Sequence, residues 1–253
     1  MKIGIIGAGQ IGASLTRHYA KAGHKVKVTN ASGIEKLRGL ESETGAKAVL
    51  QGDVVNDVDA LIISIPFIEI PRLAKALGHS IAANTIIIDT TNYYPIRDGR
   101  IEEIEKGMVE SVWVSNHLSR TVVKVYNSIL AGSLVQAGLP KGSKNRIALP
   151  VSGDIEKSKE AIASLVNDSG FDSLDIGKLS DSWRQQPGAP IYCTDLNLSQ
   201  LKHNLDRAQI DTLPARRDLA LQFILKQDSA RWLDWWKECV SNNRVVNETD
   251  LGK

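Results

Sequence analysis

The sequence is poor in cysteine, since its 253 residues include only Cys193 and Cys239. Two cysteines cannot form the disulfide framework of a small secreted protein, and their separation does not match the spacing of metal ligands. The five histidines are scattered and no HExxH pattern occurs, so we expect no metal site. Free thiols are typical of a reducing compartment. We therefore expect a cytoplasmic protein.

The net charge is also small, +2 at pH 7, and the chain has no run of about 20 apolar residues. Nucleic acids and anionic membrane surfaces usually bind clustered basic charge. We therefore expect a small molecule as partner, and neither nucleic acid nor a membrane. The sequence lacks the GxSxG pattern of a serine nucleophile and shows no paired carboxylates, so no side chain is marked as a covalent catalyst.

Apolar runs of strand length alternate with helical patterns through the first half of the chain. The runs are KIGIIG, KVKVTN, ALIISIP and TIIIDTTN, all within residues 2–92. Such alternation predicts an α/β fold with a doubly wound parallel sheet. TVVKVYN, RIALPVSG and DSLDIG predict three further strands, so we expect the sheet domain to span residues 1–178. The helix between the last two should be capped by Asp154 and end at Gly170.

Residues 179–253 differ in composition and predict a small, mainly helical C-terminal region that contributes to a substrate site or to dimerisation. From residue 216 onward, apolar residues at helical spacing predict one packing face, which includes Leu225, Trp232 and Trp236. This face can belong to the core or to a homodimer. A monomer mass in light scattering would contradict the homodimer.

Gly7, Gly9 and Gly12 form a GxGxxG pattern directly after the first predicted strand and directly before a predicted helix. In a dinucleotide site the first glycine permits a tight turn, the second lets the backbone approach a pyrophosphate, and the third lets the helix pack closely on the strand. The helix N-terminus then offers free N–H groups to the anion. Because a second strand follows about 20 residues later, the pattern predicts dinucleotide binding.

The second predicted strand ends in Asn30, where an NAD site usually has an Asp or Glu that binds the adenosine ribose. Asn30 does not repel a 2′-phosphate, and Ser32 can donate a hydrogen bond to one. Lys36 or Arg38 can reach it from the next turn. These residues favour NADP over NAD. The alternative is a capping box, in which Ser32 and Glu35 serve a helix N-terminus.

The loops after the fourth and fifth strands, SIPF and DTTNYYP, lie where an open parallel sheet places its ligand contacts. Thr91 and Asn92 supply hydrogen-bonding groups in the second loop. Tyr93 and Tyr94 can line the cleft or pack in a lid or the core, and the sequence leaves these alternatives open.

Three further residues are candidates for contacts to the nicotinamide or the acceptor. His117, in SNHLSR, is the one histidine we select as a possible acid, and Asn127 lies near the end of a predicted strand. Arg184, in WRQQPGAP, can hold a polar or anionic acceptor at the mouth of the cleft. The structural alternative for His117 is a histidine whose ring nitrogens are hydrogen-bonded within the protein. The alternative for Arg184 is a turn that packs the C-terminal region against the sheet.

Several of these segments together resemble a known family. The segments are IGIIGAGQIG, ISIPF, IDTTNYYPIRDG, NHL, VVKVYNSILA, RIALPVSGD and SWRQQPGAPIYCTDL. In order and spacing they resemble the NADP oxidoreductases that depend on coenzyme F-420 and, more distantly, the oxidoreductase domain of STEAP-type metalloreductases. The resemblance covers about residues 1–209. It implies a Rossmann domain that binds NADPH, with the C-terminal region forming one wall of the cleft for the hydride partner.

Position by position, the resemblance implies three groups of cofactor contacts. The pyrophosphate turn corresponds to Gly7, Gly9, Gln10, Ile11 and Gly12. Ile65 and Pro66 correspond to positions near the adenosine and ribose, and Thr91 and Asn92 to positions near the nicotinamide. The family often has Asn-Ser-Arg-Gly where residues 30–33 of this chain read Asn-Ala-Ser-Gly, so the arginine expected at the 2′-phosphate is absent. Lys36 or Arg38 would have to replace it.

The sequence and the resemblance together predict an NADP(H)-dependent oxidoreductase. It would transfer a hydride between NADPH and a flavin, a deazaflavin such as coenzyme F-420, or another small redox acceptor. One alternative is a small imine or ketone reductase, for which the region after residue 178 is short. The other is a non-catalytic NADPH-binding sensor or partner protein.

Overall fold

The computed structural model describes residues 1–249. The strands are β1 Lys2–Ile6, β2 Lys25–Thr29, β3 Lys47–Ala48, β4 Ala60–Ile63, β5 Ile86–Asp89, β6 Val122–Lys124, β7 Ala148–Val151 and β8 Asp172–Asp175. The α-helices are α1 Gln10–Lys21, α2 Arg38–Thr44, α3 Ile70–Leu77, α4 Pro95–Asp98, α5 Glu102–Glu105, α6 Glu110–Leu118, α7 Ala131–Gln136, α8 Glu156–Asp168, α9 Leu198–Leu205, α10 Leu213–Ile224 and α11 Trp232–Glu248. Short 3₁₀ turns cover Ile34–Leu37, Phe67–Glu69, Gly78–Ser80, Leu179–Gln185, Ile210–Thr212 and Ser229–Arg231.

The main sheet has the strand order β3-β2-β1-β4-β5-β6, and every neighbouring pair is parallel. The chain builds one half outward from β1 to β3 and then crosses back to β4, which pairs with β1 so that Ile5 lies opposite Ile62. The strand order therefore reverses between β1 and β4, and a crevice opens there at the carboxyl ends of the strands. The predicted α/β class with a doubly wound parallel sheet is confirmed.

Apolar side chains cover both faces of this sheet, as a parallel sheet requires. All four residues of β4 are buried. Leu15 and Tyr19 of α1 pack into the core on one face. On the other face Phe67 and Trp113 stack with ring centroids 4.7 Å apart. The crevice is thus built on a sheet that is held rigidly between two packed layers.

The sheet does not continue through the last predicted strands. β7 and β8 pair with each other in a separate two-stranded parallel sheet. Ser152, just after β7, meets Lys124 in an antiparallel bridge, so the chain runs the wrong way to extend the parallel ladder. Asp154 does not cap α8 as predicted, because its carboxylate accepts a hydrogen bond from the Leu179 N–H (3.0 Å) instead. The helix does end before Gly170, which adopts a φ of +98°.

The C-terminal region is mainly helical, but the continuous packing face predicted from residue 216 is interrupted. Asp228 accepts a hydrogen bond from the Ala230 N–H (2.9 Å) and starts a new turn between α10 and α11. Trp236 of α11 is buried against α7, whereas Leu225 is 61% exposed. The homodimer therefore stays a prediction. Within residues 1–249 no helix is both long enough and apolar enough to cross a bilayer.

The contact between α7 and α11 yields a test of how firmly the C-terminal region is attached. A Cβ atom on Gly132 would lie 2.2 Å from Cγ of Trp236, so we expect Gly132→Ala to lower the free energy of unfolding by about 1–3 kcal/mol through overpacking. Gly39 in α2 is the matched control, because a Cβ there meets nothing within 4 Å and should be neutral or stabilising by up to about 1 kcal/mol. Urea unfolding of both variants measures the difference, and equal stabilities would contradict the packing.

Candidate functional site

The three glycines after β1 have different surroundings. Gly7 has a φ of +98°, and a Cβ on it would lie 2.0 Å from the carbonyl oxygen of Ser64. A Cβ on Gly12 would lie 1.9 Å from the carbonyl oxygen of Gly7. A Cβ on Gly9 would meet no described atom within 4 Å. Two glycines are therefore required by the fold, whereas Gly9 faces open space where a ligand backbone can approach.

The N-terminus of α1 opens onto the same space. Gly9 is the N-cap residue, and the helical ladder begins with the hydrogen bond from the Ala13 N–H to its carbonyl oxygen (2.9 Å). The N–H groups of Gln10 and Ile11 belong to the first turn and have no partner within the helix. The first turn of α1 contains no acidic residue. Free N–H groups and the positive end of the helix dipole make this an anion-binding position.

A cleft of about 240 Å³ lies beside the turn, between the ends of β2 and β4. Its lining residues are Ile6, Gly7, Thr29, Asn30, Ala31, Gln51, Ile65, Pro66, Glu69, Arg72 and Leu73. The structure thus brings together three residues expected to contact the adenosine half of a dinucleotide, Asn30, Ile65 and Pro66, beside Gly7 of the pyrophosphate turn. Asn30 Oδ1 is buried and accepts no hydrogen bond from the described residues, so a ribose hydroxyl could supply the missing donor.

The other expected 2′-phosphate contacts lie on the exposed segment after Asn30 and outside the lining of this cleft. The capping box predicted from Ser32 and Glu35 does not form, because Gly33 occupies the N-cap position and Glu35 pairs with Arg38 (2.5 Å). Arg38 is therefore already engaged, while Lys36 is exposed and forms no ion pair with the residues that the structure describes. Arg72, which sequence reasoning missed, does line the cleft and is 75% exposed in its pair with Glu69.

The loop after β5 is fixed by one carboxylate. Asp89 accepts hydrogen bonds from the N–H and hydroxyl of Thr91 (2.9 and 2.7 Å), from the Ser111 hydroxyl (2.7 Å) and from the Lys124 ammonium (3.1 Å). Neither the Asp89 nor the Lys124 side chain has exposed surface. The hydroxyl of Thr91 is thus occupied by the protein, and its role is to hold the loop in place.

Asn127 also acts within the protein. Its Nδ2 donates to Asn92 Oδ1 (3.1 Å) and to the Gln185 carbonyl oxygen (2.7 Å), and its Oδ1 accepts from Gln185 Nε2 (2.8 Å). The side chain is 2% exposed, and the preceding Tyr126 adopts a φ of +63° that few non-glycine residues accept. Asn127 therefore ties the loop at Asn92 to the segment at Gln185. It does not offer a free amide to a nicotinamide.

His117 is not brought together with the other candidates. It is exposed near the end of α6, and its Nδ1 lies 3.0 Å from the Trp113 carbonyl oxygen. The adjacent surface cavity contains Lys75 and His79, and no residue of the glycine turn. Arg184 lies over the ring of Trp183, 5.2 Å from its centroid, so packing on the aromatic ring occupies the guanidinium in part.

A second cleft, of about 340 Å³, is lined by Tyr93 and by a carboxylate that sequence reasoning missed, Glu110. Glu110 is 3% exposed and accepts a hydrogen bond from the Tyr93 N–H (3.1 Å). Burial raises the pKa of Glu110 to about 7, against the opposing effect of the Lys124 ammonium and of the Tyr93 N–H. The one sequence signal was a single carboxylate within the apolar stretch MVESVWV.

Taken together, the doubly wound sheet, the glycine turn and the cleft at the switch point define a Rossmann-type dinucleotide-binding protein. The model of the family described as NADP oxidoreductase, coenzyme F420-dependent, matches residues 2–93. Over these residues the match confirms the resemblance found in the sequence. The description of that family agrees with the predicted NADP-dependent oxidoreductase.

Three individual proteins are similar to parts of this chain. Protein YjhV of Escherichia coli (strain K12) is 47% identical over 57 residues, which cover 22% of this chain and 42% of YjhV, so the chain matches less than half of that relative. Protein SMa0349 from Sinorhizobium meliloti is 27% identical, with a TM-score of 0.65 over 76% of this chain and 93% of that one. A protein from Arthrobacter sp. FB24 described as an F420-dependent NADP reductase shares the fold at 20% identity, with a TM-score of 0.61 over 72% and 87% of the two chains.

The open space at Gly9 separates a binding role from a structural one. We expect Gly9→Ala to leave the free energy of unfolding almost unchanged, because the added methyl group meets no described atom. It should weaken NADPH binding at least about tenfold, because the methyl group lies where the pyrophosphate approaches the backbone. Thermal unfolding and NADPH titration of the same sample test both parts. A stable variant with unchanged NADPH affinity would contradict the site.

The raised pKa of Glu110 predicts a dependence of stability on pH. Because the pKa of Glu110 is higher in the folded state, the folded protein binds this proton more tightly than the unfolded chain does. The difference does not affect stability below pH 4.5, and it lowers the free energy of unfolding as the pH rises to about 7. Over this interval the free energy of unfolding should fall, relative to Glu110→Gln, by about 3 kcal/mol. Urea unfolding of the two proteins at a series of pH values gives the difference. A difference independent of pH would show that Glu110 titrates normally.

Proposed function

We propose that this protein transfers a hydride between NADPH and a small redox acceptor. The observation that carries the proposal is the open face of Gly9 beside the free N–H groups of α1, within a turn whose other two glycines are required by packing. A turn that served the fold alone would have no reason to keep the middle glycine free of neighbours. The arrangement fits a pyrophosphate, which needs both close backbone approach and unpaired donors.

The cleft at the end of β2 favours NADPH over NADH. Asn30 carries no charge there, so a 2′-phosphate meets no carboxylate at this position. Arg38 does not line this cleft, so Arg72 is the guanidinium available there. Arg72 pairs with Glu69 at 2.7 Å on the protein surface, and such an exposed pair is worth about 1 kcal/mol or less. A 2′-phosphate can therefore displace Glu69 at little cost.

On the nicotinamide side the protein supplies position rather than reactive groups. NADPH, when bound, supplies the hydride, and the acceptor takes it up. Hydrogen bonds fix the loop at Thr91 and Asn92: the Thr91 hydroxyl donates to Asp89, and Asn92 Oδ1 accepts from Asn127. Both contacts restrict where a ring can lie, which is the requirement for hydride transfer between two close and aligned rings. We propose residues 179–253 as the region that contributes the opposite wall and the acceptor contacts.

The first test is a titration of the protein with NADPH and NADH at fixed salt. We expect NADPH to bind at least about tenfold more tightly, a difference of about 1.4 kcal/mol. Arg72→Gln should remove most of that preference and leave NADH affinity unchanged, since NADH has no phosphate at this position. Arg38→Gln is the matched control and should have little effect, because Arg38 forms the same kind of exposed pair, with Glu35, but does not line the cleft. Equal binding of both cofactors by the parent would overturn the NADP preference.

Turnover then identifies the acceptor class. Oxidation of NADPH with coenzyme F-420, flavins, small imines and ketones is followed in parallel with the parent and with Gly9→Ala. Turnover with a flavin or deazaflavin supports the proposal. Tight NADPH binding without turnover on any of these acceptors would instead indicate a non-catalytic binding protein.

A further inference from the structure

The second cleft lies between the sheet domain and the C-terminal helices. One wall is formed by Tyr93 and by the segment that leads into α6, and the other by residues around Trp183 and by the first turn of α10. Gly188 fixes the position of the second wall, because a Cβ on it would lie 2.1 Å from the Leu213 carbonyl oxygen. The cleft of about 340 Å³ is thus defined by close backbone packing, and it can hold a molecule the size of a small aromatic acid.

Glu110 presents a hydrogen-bonding atom to this cleft. Its Oε2 accepts from the Tyr93 N–H (3.1 Å), and its own N–H donates to Gln186 Oε1 (3.1 Å). Its Oε1 accepts no hydrogen bond from the described residues. A carboxyl group this deeply buried is stable when it is protonated, and its O–H then needs an acceptor. The cleft in front of it is the place where a ligand could provide one.

Arg217 supplies positive charge on the opposite wall. Its Nε donates to Asp218 (2.8 Å), and its guanidinium lies over the ring of Tyr93, 5.8 Å from the centroid. The terminal nitrogens donate to no side chain or carbonyl within residues 1–249. Arg217 also belongs to the first turns of α10, whose N-terminal end lines the cleft with Leu213 and adds a favourable potential for an anion.

The remaining lining explains what kind of molecule fits. Tyr93, Trp183, Ile104, Met108 and Leu213 provide aromatic and aliphatic surface. Such surface combined with a few convergent polar groups is typical of a small-molecule site. The other polar side chains of the lining are Glu105, Lys106, Gln186 and Asp211. The polar pair here is one acid that favours its neutral form and one guanidinium, which together match a carboxylate: the guanidinium contacts the anion and the acid donates a hydrogen bond to it.

We propose that this cleft is the acceptor subsite and binds a small planar carboxylate, which contacts the terminal nitrogens of Arg217 and accepts a hydrogen bond from the Glu110 carboxyl group. Its assignment as the acceptor subsite rests on the proposed oxidoreductase function, whereas its ability to bind a carboxylate does not. Tyr93 connects the two sites, because it directly follows Asn92 in the loop after β5 and forms a wall of the cleft.

Binding should depend on pH in a defined way. Charged groups surround Glu110 on every side: Asp89 on β5, Lys124 on β6 and Arg217 on α10, with Glu105, Lys106 and Asp211 at the rim. Burial raises the pKa of Glu110 to about 7 and Asp89 adds to this rise, whereas Lys124, the Tyr93 N–H and Arg217 lower the pKa. An ionised Glu110 repels a carboxylate ligand, so only the fraction of protein that is protonated there binds well.

Benzoate is the probe, titrated by calorimetry into the parent protein at pH 6 and pH 8 at equal ionic strength. We expect saturable binding at pH 6 and about tenfold weaker binding at pH 8, since the protonated fraction of Glu110 falls by that factor. Glu110→Gln should bind benzoate equally at both pH values, because the amide donates without titrating. Arg217→Gln should lose at least about tenfold in affinity at pH 6, and its thermal unfolding shows whether it is folded.

Arg231→Gln is the matched control, because Arg231 pairs with Asp234 outside the cleft and should leave benzoate binding unchanged. Absence of saturable binding, equal affinity of the parent at both pH values, or an Arg217→Gln variant that binds like the parent would each overturn the proposal. NADPH titration of the same sample distinguishes a failure of the carboxylate site from a failure of the proposed oxidoreductase function. If NADPH binds and benzoate does not, the carboxylate site fails alone; if benzoate binds as expected and NADPH does not, the proposed function and the acceptor assignment fail.

Discussion

The ion pair between Asp89 and Lys124 holds the candidate site in place. Both side chains lie entirely out of water, where an ion pair is stable only if hydrogen bonds satisfy its remaining atoms. Asp89 meets this condition with donors from Thr91 and Ser111, and Lys124 also donates to the Thr91 carbonyl oxygen. The pair therefore joins β5, β6, α6 and the loop after β5. Removing one partner would leave a buried charge beneath the proposed nicotinamide position, so this pair constrains the fold and the site together.

A second layer of hydrogen bonds connects this centre to the C-terminal region. The main chain of Lys124 forms a bridge with Ser152, which directly follows β7 of the small sheet. The carbonyl oxygen of Lys124 also accepts a hydrogen bond from Gln185 Nε2. Gln185 is linked in turn to Asn127, and Asn127 to Asn92. Each of these side chains is used by the protein, so their role is to position neighbouring residues. The arrangement fits the proposed function, in which the protein aligns two reactants and the cofactor supplies the hydride.

Local patterns predicted the parts of the site that depend on neighbours in sequence. Strand alternation and the GxGxxG turn gave the sheet and the position of Gly9, because helix and strand periods act over a few residues. The features that were predicted wrongly or missed depend on distant partners. Asp154 binds an N–H 25 residues away and not the adjacent helix, and Lys124 meets Asp89 across 35 residues. Glu110 gave only a weak signal, a lone carboxylate among apolar residues, since its hydrogen-bond partners Tyr93 and Gln186 lie 17 and 76 residues away.

The close approach of Gly7 to the Ser64 carbonyl oxygen has a consequence for how the cofactor preference can change. The turn after β1 and the loop after β4 touch through their main chains, so neither can move without the other. Most of the ordering that a dinucleotide requires has then taken place during folding, and binding needs little further loss of conformational entropy. It also follows that this backbone cannot be reshaped for another nucleotide. A change between NADP and NAD has to be made in side chains at the rim, such as Asn30 and Arg72.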